Sequence, residues 1–574
     1  MPEAGGRAQR GRLHALSAIF IGVGLVLAWR LADLQYFQHE WFAGLAREEH
    51  FRTESIPAHR GSLLDTNGHP LAETVPYDSV EVVGAEVTEP GPTANRLAPL
   101  LELRPEDILP KIDPQSKSPL AIKSGVSSAV AAQVEALHLA GVYLHPEPLR
   151  RYPEGSTAAQ VLGFVGQDGR GLAGVELSYD DELGGRPGLL EGERDTVGQE
   201  IAPGQDILVE PQPGADLVLT LDRMVQRLAE RTLAEAVAAN KASGGLILVM
   251  EPSGGGILAM ASWPTYNLTD RELYRPGQET LYKSVQVTNQ YEPGSVMKVV
   301  TMAAGLEEQK VTPGSTVNDT GSVEIGGAVL RNWDHRGNGV IDMTHVLIYS
   351  SNIGAQYVSG LLGPERFYRY VDAFGFGKPT GVRLPGETPG TVRTPADPGW
   401  TRVDLATNAY GQGIAVTPLQ MLAAVSAIAN GGAWMRPQIV RELHRGQQVE
   451  RVPPETVRQA VSPATAQTLT EMMAAVLEQP ALEAHRVPGY RFAGKTGTAD
   501  IPTNLGYTSG KTFASIVAFG PLPNPKFSLL IRLDGPEAIY GGAAAAPVLK
   551  RLAQDLVAYY RLPAAAPSRP PARP

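Results

Sequence analysis

The chain has no cysteine in 574 residues. That excludes disulfides, thiol catalysis and cysteine-based metal sites, and it leaves the compartment open. Basic charge is not in excess either: 60 acidic residues outnumber 50 basic ones, for a net charge of -10. A nucleic-acid binder would carry a basic face, so that class is set aside. No His, Asp or Glu spacing suggests a metal site, and no internal repeat is visible. Long apolar runs are also scarce. Only one stretch is about long enough to span a bilayer.

That stretch lies at residues 13–32. It is apolar from Leu13 to Trp29 apart from His14 and Ser17, and Leu31 and Ala32 extend it past Arg30, which can snorkel. Arg7, Arg10 and Arg12 precede it, which puts residues 1–12 in the cytoplasm and the rest of the chain outside. Trp29 and Arg30 stand where a cleavage site would need small residues, so an uncleaved anchor is expected rather than a signal peptide.

A chain of 574 residues exceeds a single core and should form two or more domains, and its 43% hydrophobic and 19% charged content is that of a globular protein. Residues 34–46 read as a helix, and 60–68 as an extended stretch ending in an Asn67-Gly68 turn. Residues 75–214 mix short apolar runs with Pro and Gly turns, an irregular α+β region whose charges read as a solvated surface. The pattern changes at Pro211-Gln212-Pro213-Gly214. Beyond it come an amphipathic helix at 224–240 and strands at 245–250 and 256–261. Helical segments dominate 295–480, strands return at 512–519 and 527–533, and a helix at 546–560 closes the fold. Strands at both ends with helices between predict one sheet built from distant parts of the chain and covered by helices. The Ala- and Pro-rich tail 563–574 reads as disordered.

The chemistry centres on Ser295-Val296-Met297-Lys298, directly behind Glu292-Pro293-Gly294. Pro293 and Gly294 stop what precedes them, and the run that follows predicts a helix. Ser295 and Lys298 then share one face, a turn apart. A buried, neutral Lys298 amine would take the Ser295 hydroxyl proton, and the helix N-terminus would favour the developing charge. Alone, the tetrad is better explained by an N-capping Ser and a solvated Lys. Two further motifs change that: Ser350-Ser351-Asn352, and Lys495-Thr496-Gly497-Thr498 at the start of the strand-rich part. The ordered set of Ser-x-x-Lys, Ser-x-Asn and Lys-Thr-Gly is the signature of penicillin-binding proteins and serine β-lactamases.

The chain as a whole resembles the class B penicillin-binding proteins. Arg60-Gly61, Asp65 and Asn67-Gly68 look like the box opening their non-catalytic domain. Arg151-Tyr152-Pro153, Leu162-Gly163-Phe164-Val165-Gly166 and Gly174-Val175-Glu176 look like later boxes of that domain. Pro264-Thr265-Tyr266-Asn267, Tyr410-Gly411-Gln412-Gly413, Thr417-Pro418-Leu419-Gln420 and Gly541-Gly542-Ala543-Ala544 resemble transpeptidase boxes, their Gly and Pro fixing turns and close packing. His335 and His345, near the Ser-x-Asn motif, are expected to be structural.

The resemblance implies an α/β (α+β) architecture in order: the anchor, an elongated pedestal of the dimerisation type at 33–214, and a transpeptidase domain at 215–562 with a central antiparallel sheet covered by helices. It implies D,D-transpeptidation, with D-Ala-D-Ala stem peptides acylating Ser295 and β-lactams imitating them. It casts Lys298 as base, Ser350 as proton relay, and Asn352 as a contact to substrate amide and to Lys298. Lys495 becomes the second cation, and Thr496, Gly497 and Thr498 bind substrate, with the Ser295 and Thr498 N–H groups as oxyanion hole. No cofactor or metal is implied. A polytopic glycan polymerase of the shape, elongation, division and sporulation type is the implied partner, at the inner membrane. A bifunctional class A enzyme would need a Glu-Asp-x-x-Phe-like glycosyltransferase segment, and a β-lactamase a deacylating Glu. D,D-carboxypeptidase activity and a non-enzymatic penicillin sensor or scaffold are the remaining alternatives. Glu292-Pro293-Gly294-Ser295 and the segment from Gly411 to Thr417 favour the division and sporulation branch over elongation, while Leu268 and Asp500 depart from the usual pattern.

Overall fold

The computed structural model describes residues 4–42, 51–194, 200–270, 275, 277–501 and 510–564. Packing separates the chain into two units, Met1–His59 with Gly185–Pro213 and Arg60–Gly184 with Gly214–Pro574. Residues 60–184, grouped by sequence with the remainder of a first domain, thus share a unit with the C-terminal part.

In the first unit the apolar run forms helix α1, Ala4–Ala32. Leu13, Phe20, Leu25 and Trp29 all lie exposed along it, as a lipid-facing helix requires. At about 1.5 Å per residue it is long enough to cross a hydrocarbon core of about 30 Å, and a single span is indicated among the described residues. The helix begins well before residue 13, because Arg7, Gln9 and Arg10 are themselves good helix formers. The helix expected at 34–46 is interrupted: Asp33–Phe37 forms a π-helical turn, helix resumes at 39–42, and 43–46 lie outside the described residues. Strands Phe51–Ile56, Gly188–Arg194 and Glu200–Val209 make an antiparallel sheet in that order.

The second unit is built on five antiparallel strands: β1 Gly244–Met250, β2 Ile257–Trp263, β3 Ala493–Asp500, β4 Thr512–Gly520 and β5 Phe527–Asp534, ordered β2-β1-β5-β4-β3. This is the sheet expected from distant parts of the chain. Successive side chains of β1 go to opposite faces, and both faces are dry. Ile247 and Val249 join a cluster with Val225, Leu233, Leu552 and Leu556, from α2, Arg223–Ala239, and the C-terminal helix Ala546–Tyr559. Leu246 and Leu248 join the larger cluster with Val299, Met302, Leu419 and Leu422. These last come from α3, Lys298–Glu307, and the apolar helix Pro418–Ala429. A helix apolar all round belongs in an interior, and nearly all of Pro418–Ala429 is buried.

Helices do not dominate 295–480 as fully as the sequence suggests. Hairpins or strand pairs join Thr316–Asp319 to Gly339–Asp342, Ser322–Ile325 to Ala328–Arg331, Val440–Arg445 to Gln448–Arg451, and Ala433–Met435 to Thr456–Gln459. Each is three to six residues long, too short to leave a clear periodicity. One signal was there: Gly326-Gly327, flanked by alternating residues, is a two-residue hairpin turn.

The charges of 75–214 are not all at the surface. Glu176 is fully buried, and its partner Arg60, from just before that range, is nearly so. Arg60 Nε donates to Glu176 Oε2 at 2.7 Å, Arg150 Nε to Glu176 Oε1 at 2.8 Å, and Arg60 Nη1 to Asp180 at 2.6 Å. These bonds tie the first non-catalytic box to the later ones. A six-stranded sheet then joins Gln448–Arg451, Val440–Arg445, Asp216–Leu219, Leu63–Leu64, Pro70–Val75 and Leu149–Arg151 in that order, so the two expected domains share strands. Of the tail expected to be disordered, 565–574 lie outside the described residues.

Candidate active site

Ser295 sits in a 3-10 turn, Gly294–Met297, that feeds α3. The sequence places the α-helix from residue 296, and the tighter turn in its place still sets Ser295 one turn from Lys298. Gly294 makes the turn possible. Its φ is +56°, and a Cβ there would lie 2.6 Å from the Thr498 carbonyl oxygen of β3, so only glycine brings the nucleophile's backbone against that strand. Gly497 has the same office from the other side, since a Cβ on it would meet Val296 at 2.7 Å.

Lys298 is 1% exposed and Lys495 fully buried. Lys298 Nζ lies 2.9 Å from Ser295 Oγ, 2.5 Å from the Ser350 carbonyl oxygen and 3.1 Å from Ser350 Oγ. Lys495 Nζ donates to Ser350 Oγ and to the Thr496 carbonyl, both at 3.0 Å. One hydroxyl therefore stands between two buried amines. Burial, with the nearby Lys495 charge adding to it and Asp319 opposing, holds Lys298 well below the ordinary lysine range. Burial alone brings Lys495 down to about 7.

The two serines of the second motif divide the work. Ser350 has φ +58°, a left-handed corner between helix Met343–Ile348 and α4, Asn352–Ala373. Ser351 is buried and caps α4, its Oγ accepting from Gly354 N at 2.9 Å. The corner leaves Ser350 to the lysines.

The geometry brings Ser295, Lys298, Ser350 and Lys495 into one hydrogen-bonded set. Asn352 is adjacent, but its side chain is engaged elsewhere: Nδ2 donates to the Arg331 carbonyl at 2.8 Å, and no bond joins it to Lys298. In place of the expected Asn352 contact, Lys298 Nζ donates to the Ser350 carbonyl and to Ser350 Oγ. Thr496 and Thr498 are half-buried on β3, and Thr498 Oγ1 accepts from Gly541 N at 3.1 Å. As an edge strand, β3 keeps one side free of sheet pairing, open to an extended ligand. His345 is held by Asp342 at 2.8 Å at the surface, the structural role expected of it. Among the described residues no group of His, Asp and Glu could hold a metal.

Sequence reasoning missed an aromatic pair beside the site. The rings of Trp333 and Tyr540 meet edge to face with centroids 5.1 Å apart, and Trp333 Nε1 donates to the carbonyl of Tyr349, the residue before Ser350. Both rings are about half exposed. A half-exposed Trp next to a catalytic-type motif is the signal that would have marked it. Also missed were Asp319 and Asn332, buried polar residues in the segment read as helical.

Comparisons with known proteins point to one family. Residues 245–554 match the penicillin-binding protein transpeptidase domain, and residues 55–219 the penicillin-binding protein dimerisation domain. Stage V sporulation protein D of Bacillus subtilis is 33% identical over 95% of this chain and 85% of its own. The peptidoglycan D,D-transpeptidase FtsI of Escherichia coli is 30% identical over 91% of this chain and 87% of its own. Among solved structures, penicillin-binding protein 3 of Mycobacterium tuberculosis, in complex with aztreonam, superposes with a TM-score of 0.70 at 28% identity, covering 90% of this chain and 99% of that one. The anchor-length helix, the pedestal match and the paired-lysine serine site converge: the chain belongs to the class B penicillin-binding proteins, the serine-type D,D-transpeptidases, close to their division and sporulation members.

Proposed function

We propose that Ser295 is the nucleophile of a peptidoglycan D,D-transpeptidase of septal or spore-wall synthesis, with Lys298 as its base. The observation that carries this reading is the buried Lys298 amine 2.9 Å from Ser295 Oγ. A neutral amine has two N–H groups and one lone pair. One N–H donates to the Ser350 carbonyl and the other to Ser350 Oγ, which leaves the lone pair for the Ser295 hydroxyl proton. As that proton moves to Nζ, Oγ bonds to the carbonyl carbon of the penultimate D-Ala. The C–N bond to the terminal D-Ala then breaks. Its nitrogen takes a proton through Ser350 Oγ, which both lysines already contact. An amine from a neighbouring stem peptide attacks the acyl-enzyme, passes its proton back along the same route and releases Ser295.

Lys495 and the hydroxyls of Thr496 and Thr498 take the donor's carboxylate, and the N–H groups of Ser295 and Thr498 the oxyanion. Asn352 takes a substrate amide. Its Nδ2 must turn from the Arg331 carbonyl or share its second N–H to do so. Residues 33–214 act as the pedestal and 215–562 as the catalytic domain. The anchor keeps the site beside a substrate outside the membrane, where a polytopic glycan polymerase supplies strands. Relatives named as a stage V sporulation protein and as a peptidoglycan D,D-transpeptidase support the transpeptidase and spore-wall parts of this reading.

The test is covalent labelling of the full chain in detergent with a tagged penicillin. A stable adduct on Ser295, absent from Ser295→Ala, is expected. An adduct that survives that substitution would falsify the reading. Release of D-Ala with cross-linked product, rather than with hydrolysed stem peptide, separates transpeptidase from carboxypeptidase.

A further inference from the structure

The corner that presents Ser350 is held by a buried polar chain outside the three motifs. Asp319, 1% exposed, ends the strand Thr316–Asp319. Its carboxylate accepts from Asn332 Nδ2 at 2.8 and 2.9 Å, from Asn338 Nδ2 at 2.7 Å and from Gly321 N at 3.0 Å. All of these donors are amides, and no Arg, Lys or His bonds to it among the described residues. Asn332, 3% exposed, also donates to the Arg336 carbonyl at 2.9 Å. Its other end faces the site: Asn332 Oδ1 accepts from Asn352 N at 2.8 Å and from Ile353 N at 3.3 Å.

A helix leaves its first N–H groups unpaired. In α4, Asn332 takes two of them and the Ser351 hydroxyl takes the next. The helix start is therefore fixed from outside its own sequence, and with it the left-handed corner that aims Ser350 at both lysines. The Asn352 side chain is held to the same segment through Arg331.

Resting on the acyl-enzyme reading above, we propose that Asp319 and Asn332 are positioning residues of the acylation centre: Asp319 orients the Asn332 amide, and the Asn332 oxygen sets the first turn of α4 and so the place of Ser350. The Asp319 charge bears on the site as well, since it opposes the effect of Lys495 on Lys298. A carboxylate bonded only by amides has its charge left over to act at a distance.

The experiment is a double-mutant cycle. Asp319→Ala removes the acceptor of the Asn332 amide, and Asn332→Ala removes the oxygen that accepts from Asn352 N and Ile353 N. The acylation rate by a tagged penicillin is measured, with adduct yield at saturation counting the folded enzyme. Each single variant should acylate about tenfold more slowly or worse, the size of coupling within one hydrogen-bonded network, and the double variant should acylate close to the rate of Asn332→Ala, because Asp319 acts through it. Asp319→Ala should also move the acid limb of the rate to lower pH, since the charge that opposed Lys495 is gone. Singles at the unsubstituted rate, or losses that add in full in the double variant, would overturn the proposal. If an alanine variant yields no folded enzyme, Asp319→Asn, which sets an NH2 group against a donor of Asn332, Asn338 or Gly321, decides by the same comparison with the unsubstituted chain. Absence of an adduct in the unsubstituted chain is a different failure, that of the acyl-enzyme reading itself.

Discussion

At the scale of residues, Lys298 and Lys495 are two lysines that neither solvent nor a bonded carboxylate attends. Their titrations separate their tasks. Lys298 is held well below the ordinary range, which favours its base form, and that form is lost as pH falls through the lowered value. Lys495 is cationic below about 7 and neutral above it. Acylation by a carboxylate-bearing penicillin should therefore weaken on the alkaline side, through binding rather than through the covalent step. A substrate analogue without the carboxylate should lack that limb, and rates measured across pH with both compounds decide it. Lys298→Arg should be as inert as Lys298→Ala, a loss of about a hundred- to ten-thousandfold, because a guanidinium stays protonated. An arginine variant acylated near the unsubstituted rate would show that the base lies elsewhere.

At the scale of elements, the buried Glu176 holds three segments together through two guanidinium groups. Glu176→Gln leaves Arg150 without its carboxylate in a dry place and Arg60 with Asp180 alone, a change that costs about 3–5 kcal/mol. Denaturant unfolding should show that loss, while any folded protein still acylates. The same cluster marks where sequence reading stopped. Ser295, Lys298, Ser350 and Lys495 were legible because their chemistry needs given residue types at given spacings. Their surroundings were not. Charged residues are read as surface by default, so Arg60, Arg150 and Glu176 gave no sign of burial. Asp319 and Asn332 lie in and beside strands of four residues, where periodicity has no room to speak. The main sheet was legible because strands such as Gly244–Met250 are continuous apolar runs. The sheet that joins the expected domains was not, since pairing between Leu63–Leu64 and Asp216–Leu219 leaves no local trace.

At the scale of the whole molecule, helix α1 is the sole described segment suited to a bilayer. Removing Ala4–Ala32 should move the protein from the membrane fraction to the soluble one and leave acylation by a tagged penicillin unchanged, as fractionation and labelling together would report. The shared six-stranded sheet has a further consequence, which concerns time. Arg441 Nη1 donates to Thr66 Oγ1 across 375 residues of sequence, and the strand before it, Asp216–Leu219, needs Val440–Arg445 as its outer neighbour. Asp216 pairs with His444, 228 residues later, and ribosomes add about 5–20 residues per second, so this strand waits roughly 11–46 seconds for its outer partner to be made. During that interval the edge of Asp216–Leu219 stands open, already outside the membrane. A chain of this design has reason to be guarded by a chaperone on that side until its last third emerges.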